Sequence, residues 1–305
     1  MAMDENSVTR RTFLAGTAAA VTLAASSEAR PPRAGAEQPA LQEATASSTK
    51  PKVIDCHAHL RHHASRNWEE DDRLLIEAAD ILGIDQLCCS ILTPRRPATA
   101  EGFRECNQWV WEAMQRFPGR VLGYCYVNPG TGHDALDEAK RCIEERGFMG
   151  IKLYNEHKCT EPVVFPLMEL AIELRIPVLH HAGHINYPLP DQPRISDGGD
   201  FAELATRYPE LMLICAHVCG GGDWEWTIKA LRKAPSVFLD TSGSVTDAGV
   251  MELALEVLGP ERLVFGCDMS LTAGVGRMRA AELSAENKAR IMGGNLTQLL
   301  ARRNG

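Results

Sequence analysis

The chain has no C-x-x-C pair, no glycine-rich phosphate turn after its first predicted strand, no apolar run long enough to span a bilayer and no surplus of positive charge. Each absence excludes something. Ten cysteines without paired spacing do not outline a disulfide scaffold. Cys56, Cys125, Cys215 and Cys267 sit inside apolar runs and Cys88 and Cys89 are adjacent, so they read as buried thiols. The missing phosphate turn argues against an open, doubly wound nucleotide-binding sheet. With 32 Lys and Arg against 40 Asp and Glu, the formal net charge is -8. Such a chain has no general attraction for nucleic acid or anionic membranes. What is present is ordinary: 45% hydrophobic and 24% charged residues over 305 positions, enough for a large core.

The N-terminus reads as an address. Arg10-Arg11-Thr12-Phe13-Leu14 precedes an Ala-rich apolar run ending near Ala25. A basic segment, a short apolar segment and small residues are the parts of a secretory signal. The paired arginines followed by Phe-Leu resemble the twin-arginine signal for export of folded proteins. The run is about a dozen residues, below the ~20 that a stable spanning helix needs, so no membrane anchor is expected in the mature form. Residues 1–29 are therefore expected to be a signal peptide, with cleavage after Ala29 or Ala36. Residues 30–50, rich in Ala, Pro, Glu, Ser and Thr, are expected to be a linker. The twin-arginine machinery is the expected partner, and the expected location is extracytoplasmic.

Residues 51–305 alternate β-branched runs with helical patterns. Candidate strands cover Val53–His59, Ile84–Leu92, Val121–Asn128, Met149–Tyr154, Pro177–Gly183, Leu211–Val218, Val237–Ser242 and Leu263–Asp268. Helical periodicity appears at Asp72–Leu82, Asp134–Arg146, Phe165–Leu174 and Val250–Leu258. Strand starts recur at roughly thirty residues, the length of a βα unit. Eight such units predict an α/β fold, the (β/α)₈ TIM barrel, whose chemistry sits at the C-terminal strand ends. Strand 1 ends Asp55-Cys56-His57-Ala58-His59. Regular alternation would put Asp55, His57 and His59 on one face, toward the lumen. His180-His181 end strand 5, His217 ends strand 6 and Asp268 ends strand 8. Imidazoles with a carboxylate suit a borderline divalent ion such as Zn²⁺.

D-x-H-x-H on strand 1, P-V-x-x-H-x-G on strand 5, His217 with Gly-Gly soon after, and F-G-x-D on strand 8 resemble the amidohydrolase superfamily. The narrower likeness is to its amidohydrolase-related branch, which holds metal-dependent decarboxylases, such as aminocarboxymuconate-semialdehyde decarboxylase, and lactonases. The resemblance extends to Gly150-Ile151-Lys152-Leu153 and Gly294-Asn295-Leu296. It implies His57, His59, His181 and Asp268 as ligands of one divalent metal, with Asp268 and His217 catalytic. It implies Lys152 as an electrostatic group or, in a two-metal site, a bridge. Asp55 is expected to support the ligands from behind. His180, out of phase with His181, is expected to face the helices.

Two reactions share that ligand set. The first expectation is hydrolysis of an ester, lactone or amide through a metal-activated water. The alternative is non-oxidative decarboxylation, and a catalytically silent metal-binding barrel is the reading from a different class. Basic loops after strands 1, 2 and 4 point to a small carboxylate-bearing substrate. Arg61, His63, Arg95, Tyr154 and His184 are candidate contacts, and Arg96, His157 and Lys158 belong to the same rim. Trp68, Trp224 and Trp226 are candidate pocket walls. A homodimer is compatible with the sequence and not indicated by it.

Overall fold

The computed structural model describes residues 51–61, 67–91, 96–183, 194–218, 220 and 223–304. In chain order the elements are β1 (Ile54–His59), α1 (Trp68–Leu82), β2 (Gln86–Ser90), α2 (Ala100–Arg116), β3 (Val121–Tyr126), α3 (His133–Lys140), β4 (Gly150–Leu153), α4 (Phe165–Glu173), β5 (Val178–His180), α5 (Gly198–Arg207), β6 (Leu213–Cys215), α6 (Trp224–Leu231), β7 (Val237–Asp240), α7 (Val250–Leu258), β8 (Leu263–Val264), α8 (Leu271–Ala280), α9 (Ala285–Ala289) and α10 (Asn295–Ala301). All eight predicted strands are present, shortened at their ends. The helix predicted over Val250–Leu258 is found with those bounds.

The strands form one parallel sheet in the order β1 to β8. This is the (β/α)₈ barrel. Closure between β8 and β1 uses single contacts rather than a ladder. Cys56 N–H donates to Phe265 O at 2.8 Å and Asp268 N–H to His57 O at 2.6 Å, with a parallel bridge between Ala58 and Asp268. Asn295, at the start of α10, ties the base of β8 down by donating to Pro260 O and Leu263 O, each at 2.6 Å. That gives the Gly294-Asn295-Leu296 motif a structural task.

Apolar side chains separate into two buried groups. Ile54, Cys56, Cys88, Tyr124, Leu179, Ile214 and Val264 belong to the group that fills the barrel floor. Leu87, Cys89, Cys125, Ile151, Val178, Cys215 and Phe265 belong to the group between sheet and helices. Period-two alternation along each strand produces this division. The nine described cysteines are all free and buried. Cys219 lies outside the described residues.

Alternation fails once, in β1, and the failure matters. Asp55 pairs with Leu87 and Ala58 with Cys89, so β1 advances three residues while β2 advances two. One extra residue makes a β-bulge. Below it, Ile54 and Cys56 face the floor and Asp55 faces outward with its neighbour Leu87. Above it, Ala58 and Leu60 face outward and His59, beside Ser90, faces in. The expectation that Asp55 shares the histidines' face is therefore corrected.

Candidate active site and metal centre

Seven polar side chains crown the apolar floor. His57 and His59 rise from β1, Lys152 from β4, His181 follows β5, His217 follows β6, Asp240 ends β7 and Asp268 follows β8. His57, His59, Lys152, His217 and Asp240 are all buried. Two of these residues take left-handed backbone conformations, His217 at φ 68° and Asp268 at φ 57°. Non-glycine residues seldom do so, and at strand ends such strain typically aims a functional side chain. Gly266 leaves room for the cluster, since a Cβ there would lie 3.2 Å from both Asp240 Cγ and His57 Cβ.

Donor atoms of His57, His59 and Asp268 lie within 4.8 Å of one another. His59 Nε2 is 3.0 Å and His57 Nε2 3.8 Å from Asp268 Oδ1. His59 Nδ1 faces the Ser90 carbonyl at 3.4 Å and its hydroxyl at 3.1 Å. A carbonyl only accepts, so Nδ1 carries the proton and Nε2 offers a lone pair. That lone pair is buried, makes no hydrogen bond and points at a carboxylate oxygen. Two acceptors facing each other in a buried pocket fit a shared cation. The residues present therefore suit a divalent metal.

His181 stands apart from that trio. Its Nδ1 is 2.9 Å from His217 Nε2, and its ring stacks on Tyr154 with centroids 4.1 Å apart. The guanidinium of Arg96 lies over the other part of this stack, 3.4 Å from the Tyr154 centroid. Arg96 also donates to Asn155 Oδ1 at 2.6 Å. Tyr126 O–H donates to Glu156, whose carboxylate lies 3.9 Å from Arg96. Lys152 Nζ sits 2.8 Å from His57 Nε2.

Burial sets most of the electrostatics. It pushes His57 well below the usual imidazole value, with Lys152 and His217 acting the same way and Asp268 opposing. His181 is lowered well below that value by burial, then by His217 and Lys152. His217 is lowered by burial against the pull of Asp240 and Asp268. Lys152 falls to about 8, again by burial. For Asp268 burial acts upward, but the His59 contact and the His57 and His217 rings outweigh it and hold the carboxyl well below its usual range. Asp55 is raised to about 7 by burial. Its Oδ1 accepts from His57 N at 2.9 Å and Cys267 N at 3.0 Å, so from outside the barrel it grips the backbone beside His57 and Asp268. His180 faces the helices, edge-on to Phe201, and its Nδ1 donates to His181 O at 2.8 Å.

Other expected contacts go elsewhere. Arg61 lies with Asp71, Leu74 and Leu75 in a groove beside α1. His157 pairs with Glu161 and Lys158 with Asp200. Arg116 covers Trp68, Trp224 bonds Asp247 and Trp226 is exposed. His63, Arg95 and His184 lie outside the described residues.

Sequence reasoning missed Asp240, Ser242 and the placement of Arg96. Asp240 accepts from His57 Nδ1 at 2.8 Å, from His217 N at 2.9 Å and from Ser242 Oγ at 2.5 Å. Ser242 Oγ is also 2.8 Å from His217 Nδ1. The signal was available: Asp240 and Ser242 lie at the C-terminal end of the predicted strand Val237–Ser242, where a barrel builds its site.

Comparison with known proteins places this geometry in context. The amidohydrolase family matches residues 54–302. A gamma-resorcylate decarboxylase from Polaromonas sp. strain JS666 is 24% identical over 259 residues, spanning 67% of this chain and 78% of the relative. The structure of a 2,6-dihydroxybenzoate decarboxylase from Rhizobium superposes with a TM-score of 0.65 at 17% identity, covering 82% of this chain and 98% of that one. A dihydroxybenzoic acid decarboxylase from Polaromonas sp. JS666, with bound manganese and the inhibitor 2-nitroresorcinol, gives 0.63 at 19% identity, covering 82% and 97%. These three relatives are decarboxylases, which overturns the first expectation of hydrolysis. The ligand set serves both reactions, so the residues that carried the resemblance could not separate them. Manganese in a relative likewise leaves a divalent metal, not zinc, as the supported description. With eight parallel strands, a His–Asp cluster at their C-terminal ends and a family match across nearly all of the barrel, the chain belongs to the amidohydrolase family.

Proposed function

We propose that the protein is a metal-dependent, non-oxidative decarboxylase of a small hydroxylated aromatic acid. The observation that carries this is the Arg96–Tyr154–His181 stack beside the His57, His59 and Asp268 cluster. An aromatic wall capped by a guanidinium matches a flat, anionic substrate. The relation to the gamma-resorcylate decarboxylase supports the same reading.

His57, His59 and Asp268 would hold the metal, with His181 Nε2 as the fourth protein donor. The ion would supply Lewis acidity and orientation at the substrate's oxygens. Arg96 would bind the carboxylate as it arrives, held in place by the Tyr154 ring beneath it. Asp268 and His217 are the two groups placed to manage the proton. A proton is added to the ring carbon that bears the carboxylate, the C–C bond breaks, and its electron pair restores the ring as CO₂ leaves. The resemblance of Arg10-Arg11-Thr12-Phe13-Leu14 to a twin-arginine signal supports the further proposal that the enzyme acts outside the cytoplasm.

The test is a panel of 2,6-dihydroxybenzoate, other hydroxybenzoates, esters and lactones, offered to manganese- or zinc-loaded protein. CO₂ release from a hydroxybenzoate is expected. Turnover of an ester or lactone with no CO₂ from any aromatic acid would sink the proposal.

A further inference from the structure

We propose that Asp240 is a positioning residue that sets the tautomers of three site histidines: His57 directly, His217 through Ser242, and His181 by way of His217. The inference rests on the metal-site reading above for its consequence, but not for its test.

The argument is one of donors and acceptors. Asp240 Oδ1 accepts from the backbone N–H of His217 at 2.9 Å and of Ser242 at 2.8 Å. Ringed by donors, that oxygen can only accept from the Ser242 hydroxyl at 2.5 Å. Ser242 thereby uses its single proton, and its oxygen must accept from His217 Nδ1 at 2.8 Å. His217 is then the Nδ1–H tautomer, and its Nε2 is an acceptor. The atom facing that acceptor at 2.9 Å is His181 Nδ1, which must carry a proton in turn. One direction runs through the chain: His181 to His217 to Ser242 to Asp240.

The second arm leaves from Asp240 Oδ2, which lies 2.8 Å from His57 Nδ1. On that arm the direction is fixed independently. Lys152 Nζ lies 2.8 Å from the far nitrogen, His57 Nε2. An ammonium has donors and no acceptor, so Nε2 must be the lone pair and Nδ1 the protonated atom. The longer approach of Ser242 Oγ to His57 Nδ1, 3.4 Å, competes with neither bond.

The consequence is that His57 and His181 both keep an unprotonated Nε2, the form in which imidazole binds metal, with Lys152 holding that of His57 until a metal takes its place. His59 is excluded from this control, because Ser90 sets its tautomer separately.

The experiment is ring nitrogen–proton correlation spectroscopy on ¹⁵N-labelled, metal-free full chain. In the wild type, His57, His181 and His217 should all appear as Nδ1–H. In Ser242→Ala, His57 should stay Nδ1–H while His217 and His181 become mixtures, and Ser242→Thr should restore them. A general loss of packing would not spare His57 selectively. In Asp240→Asn, His217 and His181 should become mixed, whereas His57, still capped at Nε2 by Lys152, should lose its Nδ1–H only when Lys152→Met is added. Manganese affinity of Asp240→Asn should fall about 10–100-fold. Predominant Nε2–H at His217 in the wild type, or unchanged tautomers in Ser242→Ala, would overturn the proposal. Correct tautomers in a wild-type protein that binds no manganese would leave the relay standing and fell the metal-site reading instead.

Discussion

The floor and the mouth of this barrel use the same eight strands for opposite ends. On the floor, Ile54, Cys56, Leu179, Met212, Ile214 and Val264 fill space, and what matters is their volume. At the mouth, His57, His59, Lys152, His217, Asp240 and Asp268 each face a named partner, and what matters is direction. The floor draws on apolar burial, worth about 1.5–3 kcal/mol per large side chain. The mouth buries polar groups, which cost free energy unless every donor and acceptor is met. A residue can therefore be exchanged by size below the histidines and only by hydrogen-bond role above them.

The sharpest break in that comparison is Asp268→Asn. It keeps the shape and removes an anionic ligand, so decarboxylation should fall by about 10²–10⁴-fold, with metal content reduced and the melting temperature nearly unchanged. Loss of fold with loss of activity would instead make the mouth part of the scaffold. The mirror experiment is Leu179→Ala on the floor. Chemical denaturation should show about 2–5 kcal/mol lost, while metal per chain stays at the wild-type value. Coupling of the two would mean the floor also aims the ligands.

A polar residue outside both regions extends the comparison. Burial pulls His180 down to about 4. Below pH 6.5 the unfolded chain binds a proton that the folded chain refuses, so stability falls as pH drops from 6.5 toward 4. At pH 5 the loss from this residue should be about 2 kcal/mol. His180→Asn, a donor that does not titrate, should show a correspondingly flatter pH dependence in denaturant titrations. Equal slopes would mean that His180 gains its proton without unfolding. The smallest effect belongs to Arg96→Gln at the rim. KM for the aromatic acid should rise about tenfold, in line with a lost charged hydrogen bond, with kcat changed less. An unchanged KM would remove Arg96 from substrate recognition.

Much of this was legible in the sequence, for physical reasons. Eight β-branched runs at regular spacing can close only a few ways, and histidines and an acid at strand ends mark the mouth. Three things were not legible. The bulge in β1 was hidden because Asp55-Cys56-His57-Ala58-His59 alternates on paper, and only pairing with β2 reveals the extra residue. Asp240-Thr241-Ser242 reads like any polar strand exit, and its reach to His57 spans 183 positions. Hydrolysis and decarboxylation share the same ligands, so the substrate's fate is decided by groups such as Arg96 and Tyr154 that carry no fixed spacing from them.

The left-handed turns at His217 and Asp268 have one more consequence. Glycine would adopt both conformations at lower cost, yet would bring no chemistry there. These two positions are where thermal robustness and usefulness pull apart. A population of variants selected for heat tolerance alone, with no demand for turnover, should drift toward glycine or asparagine at 217 and 268 first, and so discard the enzyme while improving the protein.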